Sequence, residues 1–273
     1  MRRRSLLALG AAAAFTGTQA AATTLAQVRE RGRLVVGLYE DMPPFHVKGQ
    51  GIDMELGKAL AEALGVKFSP LPFNADENMN DDLRNMVWKG HYLGHGPADV
   101  LLHVPVDRPL IDATPQATIF GPYYRERVML ARRVDELPTL DSLSQLGKRR
   151  VAVAGQTLAG WLMIGADSGA YREQLLTQFK DGCEAARALQ RGEVAAAAGL
   201  ASELEAVLAG DTAYRIEPLP SPRAPRDGWA AGMAVKRDAT DLAQALQQAL
   251  NGLTSQGRVA EIFAQHKVAW RSP

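Results

Sequence analysis

The chain has 273 residues, 47% of them apolar, enough to fill two domain cores rather than one. Its 31 basic side chains nearly cancel 30 acidic ones, and the formal charge of +1 lacks the concentrated basic excess of a nucleic-acid binder. A single cysteine, Cys183, excludes an intrachain disulfide and reads as a small core residue.

Arg2-Arg3-Arg4, the apolar run 6–15 and Thr18-Gln19-Ala20 read as a secretory signal over residues 1–20, too short to span a bilayer as a helix. Export to the periplasm follows. The mature chain begins near Ala21, and loss of the three arginines gives it a formal charge of −2.

Residues 34–38 (LVVGL) form a buried strand. The loop 39–45 after it is stiffened by Pro43 and Pro44. A helix opens at Gly51-Ile52-Asp53, with Ile52, Leu56, Ala59, Leu60 and Ala63 on one face and Asp53 near its positive end. Residues 66–68 return as a strand. Leu83, Met86 and Val87 mark a short amphipathic helix ended at Gly90. Asp76, Glu77, Asp81 and Asp82 read as a solvated face. Residues 91–97 read as an added loop. His91 and His95 have the i, i+4 spacing that metals use, but Gly94, Gly96 and Pro97 argue against a helix, so no metal is expected.

Residues 100–104 form a second buried strand, stopped by Pro105. Asp107 and Arg108 stand just beyond its carboxyl end, where open α/β sheets bind ligands. Gly121-Pro122-Tyr123-Tyr124 reads as a turn before a strand at 128–131. Residues 140–146 read as a short helix and 150–154 as a strand. Gly155-Gln156-Thr157 is a tight turn whose following helix, 158–164, offers backbone amides to an anion. No Gly-Lys-Ser or Gly-Lys-Thr is present, so this is no nucleotide loop. Asp181 with Glu184 and Ser202 with Glu205 read as capping boxes. Residues 194–198 (VAAAA) are taken as a strand from their place, against alanine's helix propensity. Pro218, Pro220, Pro222 and Pro225 make a rigid connection, 232–235 a strand, and 241–251 and 256–266 two closing helices.

The Pro43-Pro44-Phe45 loop between strand and helix, the Asp99-led strand, the polar turn with Arg108, and Pro122-Tyr123-Tyr124 before a new strand carry a resemblance. In order and spacing, over residues 34–266, the chain resembles the periplasmic solute-binding proteins of family 3, the amino-acid-receptor type served by ABC importers. The resemblance implies an α/β fold of type II. Two lobes, each a mostly parallel sheet flanked by helices, hold a ligand in the cleft between them. Lobe 1 takes residues 21–125 and 229–273, and lobe 2 takes 126–228. It implies ligand contacts from Tyr39, Glu40, Met42, Phe45, His103, Arg108, Gly155, Gln156 and Thr157. It implies a non-enzymatic monomer, without cofactor, whose partners are a small molecule and the membrane subunits of a transporter.

The chain departs from the amino-acid receptors in two places. The acid that holds the ligand ammonium is missing at Gly199-Leu200-Ala201, and the aromatic platform falls at Met42. A buried ammonium without a counter-charge is costly. The expected ligand is therefore a small polar or anionic solute, unless Glu40 or Asp41 replaces the acid. The shortened stretch 99–105 together with Pro122-Tyr123-Tyr124-Arg125 is similar to receptor-like proteins associated with periplasmic quinoprotein (PQQ) alcohol dehydrogenases, which implies an accessory role as the alternative. A further alternative is a dehydratase on the same fold, with Glu40 or His103 as acid or base.

Overall fold

The computed structural model describes residues 24–273; the signal segment expected at 1–20 lies outside them. The chain opens with α1 (Leu25–Arg31), capped by Thr24, and β1 (Arg33–Tyr39). Then follow α2 (Ile52–Ala63), β2 (Lys67–Phe73) and α3 (Met79–Leu83), which runs into a wide π-type turn at Arg84–Lys89. β3 (Val100–Pro105), α4 (Arg108–Ala113) and β4 (Ala117–Glu126) complete the first stretch. The middle stretch holds β5 (Val128–Arg133), β6 (Val151–Val153), α5 (Leu158–Gly165), β7 (Leu175–Leu176), α6 (Gly182–Gln190), β8 (Ala196–Leu200), α7 (Ala201–Leu208) and β9 (Tyr214–Pro218). β10 (Trp229–Lys236), α8 (Thr240–Ser255) and α9 (Arg258–Gln265) follow.

These strands make two five-stranded sheets, ordered β2-β1-β3-β10-β4 and β7-β6-β8-β5-β9. The two-lobe α/β architecture is present, and each sheet is mixed, with four strands running one way and one strand against them. β10 runs antiparallel to β3 and β4, and β5 runs antiparallel to β8 and β9. The cause is connectivity. A chain leaving one sheet at its lobe-facing end enters the other at its lobe-facing end. It therefore runs against the strands whose carboxyl ends point there.

The first sheet is packed on both faces. One face carries Leu34, Val36, Ile52, Leu56 and Leu60 against Leu246, Ile262 and Phe263. The other carries Phe73, Leu83, Met86, Leu101 and Val104. In the second sheet β8 presents Ala196 and Ala198 to one core and Ala197 to another. Such small side chains let helices close in on both faces, and this packing overrides alanine's preference for helix.

Several local expectations are corrected. Gly121-Pro122-Tyr123-Tyr124 is no turn; it lies inside β4, opposite a register shift in β10. Gly121 has φ +58° there, and Pro122 is tolerated because β4 is an edge strand. Residues 140–146 supply only a 3₁₀ turn at Leu143–Leu146. Ala63 is exposed and Leu64 takes its place in the core. α7 starts at Ala201, with the Leu200 N–H donating to Glu203 Oε2 at 2.8 Å, so the expected box of Ser202 with Glu205 does not form. Asp82 is buried, not solvated. Cys183 is a core residue, as expected. Among the described residues no helix is long and apolar enough to cross a membrane.

Candidate ligand-binding site

The loop after β1 is held from below. The buried Tyr39 donates its hydroxyl to Asp82 Oδ2 at 3.0 Å, and burial pushes its phenol far up. Tyr39 is thus an anchor of the loop. Glu40 is exposed. Asp41 is paired with Lys180 across the two lobes at 3.2 Å, so its carboxylate already has a cation. Met42 is half-buried and its backbone pairs with His46. Phe45 is buried in the first core, its ring centroid 4.1 Å from that of His103.

His103 is the centre of the arrangement. Between Val104 and Leu101 the pairing of β3 with β10 slips by one residue, so β3 carries a bulge. His103 sits in that bulge at φ +62°, a left-handed conformation that disfavours any side chain with a Cβ. What stabilises it is a buried set of hydrogen bonds. The His103 N–H donates to the Tyr123 hydroxyl at 3.0 Å, and that hydroxyl donates to Asp53 Oδ1 at 2.8 Å. The other Asp53 oxygen lies 3.3 Å from His103 Nδ1. Asp53 itself is fixed in the first turn of α2, where the helix dipole favours a carboxylate. Burial and the Asp53 charge push the Tyr123 phenol far up, so it stays a donor. With Nδ1 engaged, Nε2 is the ring nitrogen left for a ligand. The imidazole side chain is 13% exposed.

Arg108 stands apart from this cluster. Asp107 caps α4, and Arg108 Nε pairs with Asp112 of the same helix at 2.9 Å. Its side chain is 83% exposed, so it lies on the outer surface of α4 rather than in a dry clamp. The turn after β6 forms as expected. Thr157 Oγ1 accepts from Gly160 N at 3.2 Å and donates to Ala154 O at 2.7 Å, so its hydroxyl is committed to capping α5. Gly155 is tied to Thr177 O by its N–H, and Gln156 is exposed. What this turn leaves for a solute is the Gln156 side chain and the first-turn amides of α5, which have no partner within the helix.

Two buried acids beside the cleft escaped the sequence reading. Glu126, fully buried at the end of β4, accepts from the Ser202 hydroxyl and from Arg127 N at 2.9 Å. Burial raises its carboxyl above the usual range, while Ser202, Arg127 and His103 oppose that rise. Glu203 accepts from Leu200 N at 2.8 Å and from Gly182 N at 3.1 Å, which ties the starts of α6 and α7 together. Its carboxyl is pushed up to about 7, mainly by burial. The acid missing at Leu200 is therefore present three residues later, with both oxygens turned to backbone. With a leucine at the cap position, no capping pattern in the sequence marks it. No group of three or more metal-ligating side chains occurs among the described residues. His91 and His95 stack with ring centroids 4.4 Å apart.

This arrangement, two lobes with polar groups at the carboxyl ends of their strands, defines a periplasmic-binding-protein-like fold, and solved structures agree. An ancestral cationic amino acid solute-binding protein, AncCDT-1, superposes with TM-score 0.69 at 18% identity, over 90% of this chain and 100% of that one. An amino acid ABC transporter substrate-binding protein from Streptococcus pneumoniae, bound to L-arginine, gives 0.60 at 18% identity, over 89% and 97%. The L-cysteine solute receptor of Neisseria gonorrhoeae gives 0.59 at 20%, over 89% and 93%. At such identities the likeness is one of fold. No family model matches the chain. No curated protein matches it either.

Proposed function

We propose that this protein is a periplasmic solute-binding protein that holds a small polar or anionic solute between its lobes and delivers it to the membrane subunits of an ABC importer. The bulge at His103 is the observation that carries this reading. It fixes an oriented imidazole inside β3, two residues before its carboxyl end, the end at which ligands of open α/β sheets bind. The fold neighbours named as amino-acid solute-binding proteins support the class. The ligand differs from theirs, because Glu203 is turned to backbone and Asp41 is paired with Lys180. Neither acid is free to hold an ammonium, which leaves the exposed Glu40 as the remaining candidate for that role. Gln156 and the start of α5 contribute from the second lobe, and Arg108 only if it leaves Asp112. Capture is a population shift toward a closed form that the ligand prefers.

A thermal-shift screen of small carboxylates, alcohols, sugars and the standard amino acids tests this. A true ligand at a hundredfold excess over its Kd stabilises the fold by about 2.7 kcal/mol. His103→Ala is expected to abolish that shift. Tight binding of a standard amino acid, unaffected by His103→Ala, overturns the proposal. Tyr92 and Leu93, 87% and 70% exposed in the added loop, favour a protein partner as a second reading. Co-purification with a PQQ alcohol dehydrogenase, lost on deleting residues 91–95, identifies the accessory role instead.

A further inference from the structure

The two chain crossings border an open pocket of their own. About 500 Å³ lie between the first crossing, at Arg127 and Val128, and the second, from Pro218 to Arg226. That volume falls within the range of about 300–1,000 Å³ typical of small-molecule sites. None of the cleft candidates, His103 and Thr157 included, lines it. Pro218, Pro220, Pro222 and Pro225 make its wall stiff and largely apolar. Its charged groups are Arg127 and Arg226 against Asp141, so guanidinium outnumbers carboxylate.

Arg127 carries the second observation. Its Nε is buried and has no hydrogen-bond partner. The main chain cannot shift to find one, because the Arg127 N–H is held by Glu126 Oε1 and its carbonyl accepts from Ala201 N, both at 2.9 Å. Its stem passes over Gly228, where an added Cβ would meet Arg127 Cγ at 2.9 Å. A fixed, buried donor without an acceptor is rare in folded proteins and asks for one.

We propose that this pocket is a second binding site, for a small organic monocarboxylate with an apolar body, held by Arg127 and Arg226 against the proline wall. A guanidinium fork meets the two oxygens of a carboxylate in its own plane. Asp141 disfavours a more highly charged anion, and the prolines favour a ligand with apolar surface. Such a ligand touches both crossings at once and so resists their bending.

Calorimetric titration of the protein with benzoate tests this, with benzamide and sulfate as controls. Benzoate is expected to bind saturably. Benzamide and sulfate are expected to bind at least tenfold more weakly, and so is benzoate to Arg127→Gln or Arg226→Gln. Hydrogen exchange at residues 219–228 is expected to slow when benzoate is bound. Absence of saturable benzoate binding overturns the proposal. So does undiminished binding to Arg226→Gln, an exposed substitution that decides alone should Arg127→Gln fail to fold. Sulfate binding as tight as benzoate overturns the carboxylate assignment.

Discussion

Glu203 lies under the amides of Gly182 and Leu200 with its carboxyl raised from 4.5 to about 7. A carboxyl whose folded value lies above its unfolded one stabilises the fold most when protonated. That contribution is complete below about pH 4.5 and is lost as pH rises through 7, a swing of about 3 kcal/mol. Glu126 is raised too and acts in the same direction. The urea midpoint is therefore expected to fall between pH 5 and pH 8, and Glu203→Gln to flatten the fall. A midpoint that rises over that interval would show that Glu203 stays ionised. Tyr123 offers a second test at this scale. Its hydroxyl serves His103 N and Asp53 together, so Tyr123→Phe is expected to destabilise by about 1–3 kcal/mol in chemical unfolding.

Among the elements, α5 depends on its first turn. Thr157→Ala removes the cap and is expected to lower stability by about 1 kcal/mol. Gly160→Ala is expected to do more damage, since an added Cβ would stand 2.3 Å from Ala154 O and force the turn open. Expression and circular dichroism of the two variants separate these outcomes. The order of strands and helices was largely legible, because apolar runs and turn residues write themselves locally. β8 was legible only from its place, since its alanines describe packing partners rather than local preference. Gly121-Pro122 misled because a bulge and a turn use the same residues. At the site, the Gly155-Gln156-Thr157 turn was legible from adjacent residues. The Asp53–His103–Tyr123 contacts span up to 70 residues and have no local mark.

For the whole molecule, lobe motion sets the expectations. A cleft ligand is expected to reduce the radius of gyration in small-angle scattering, and a bound solute without compaction would count against a hinge. A third link joins the lobes near the crossings. Arg271 pairs with Glu205 of α7 and donates to the Tyr124 hydroxyl at 2.9 Å. Trp270 Nε1 donates to Tyr123 O at 2.8 Å. Arg271→Gln is expected to lower stability by about 1–3 kcal/mol and to loosen the lobes in scattering. The position of β10 reaches further, into the order of events during folding. It sits between β3 and β4 in the sheet yet follows β4 in the chain only after the whole second sheet. The second sheet is built from one uninterrupted stretch and can form while the first still lacks an inner strand. Until β10 arrives, β3 and β4 each present an open edge to any strand that finds it. Refolding is therefore expected in two phases, the faster one reporting the middle of the chain, with aggregation confined to the interval between them.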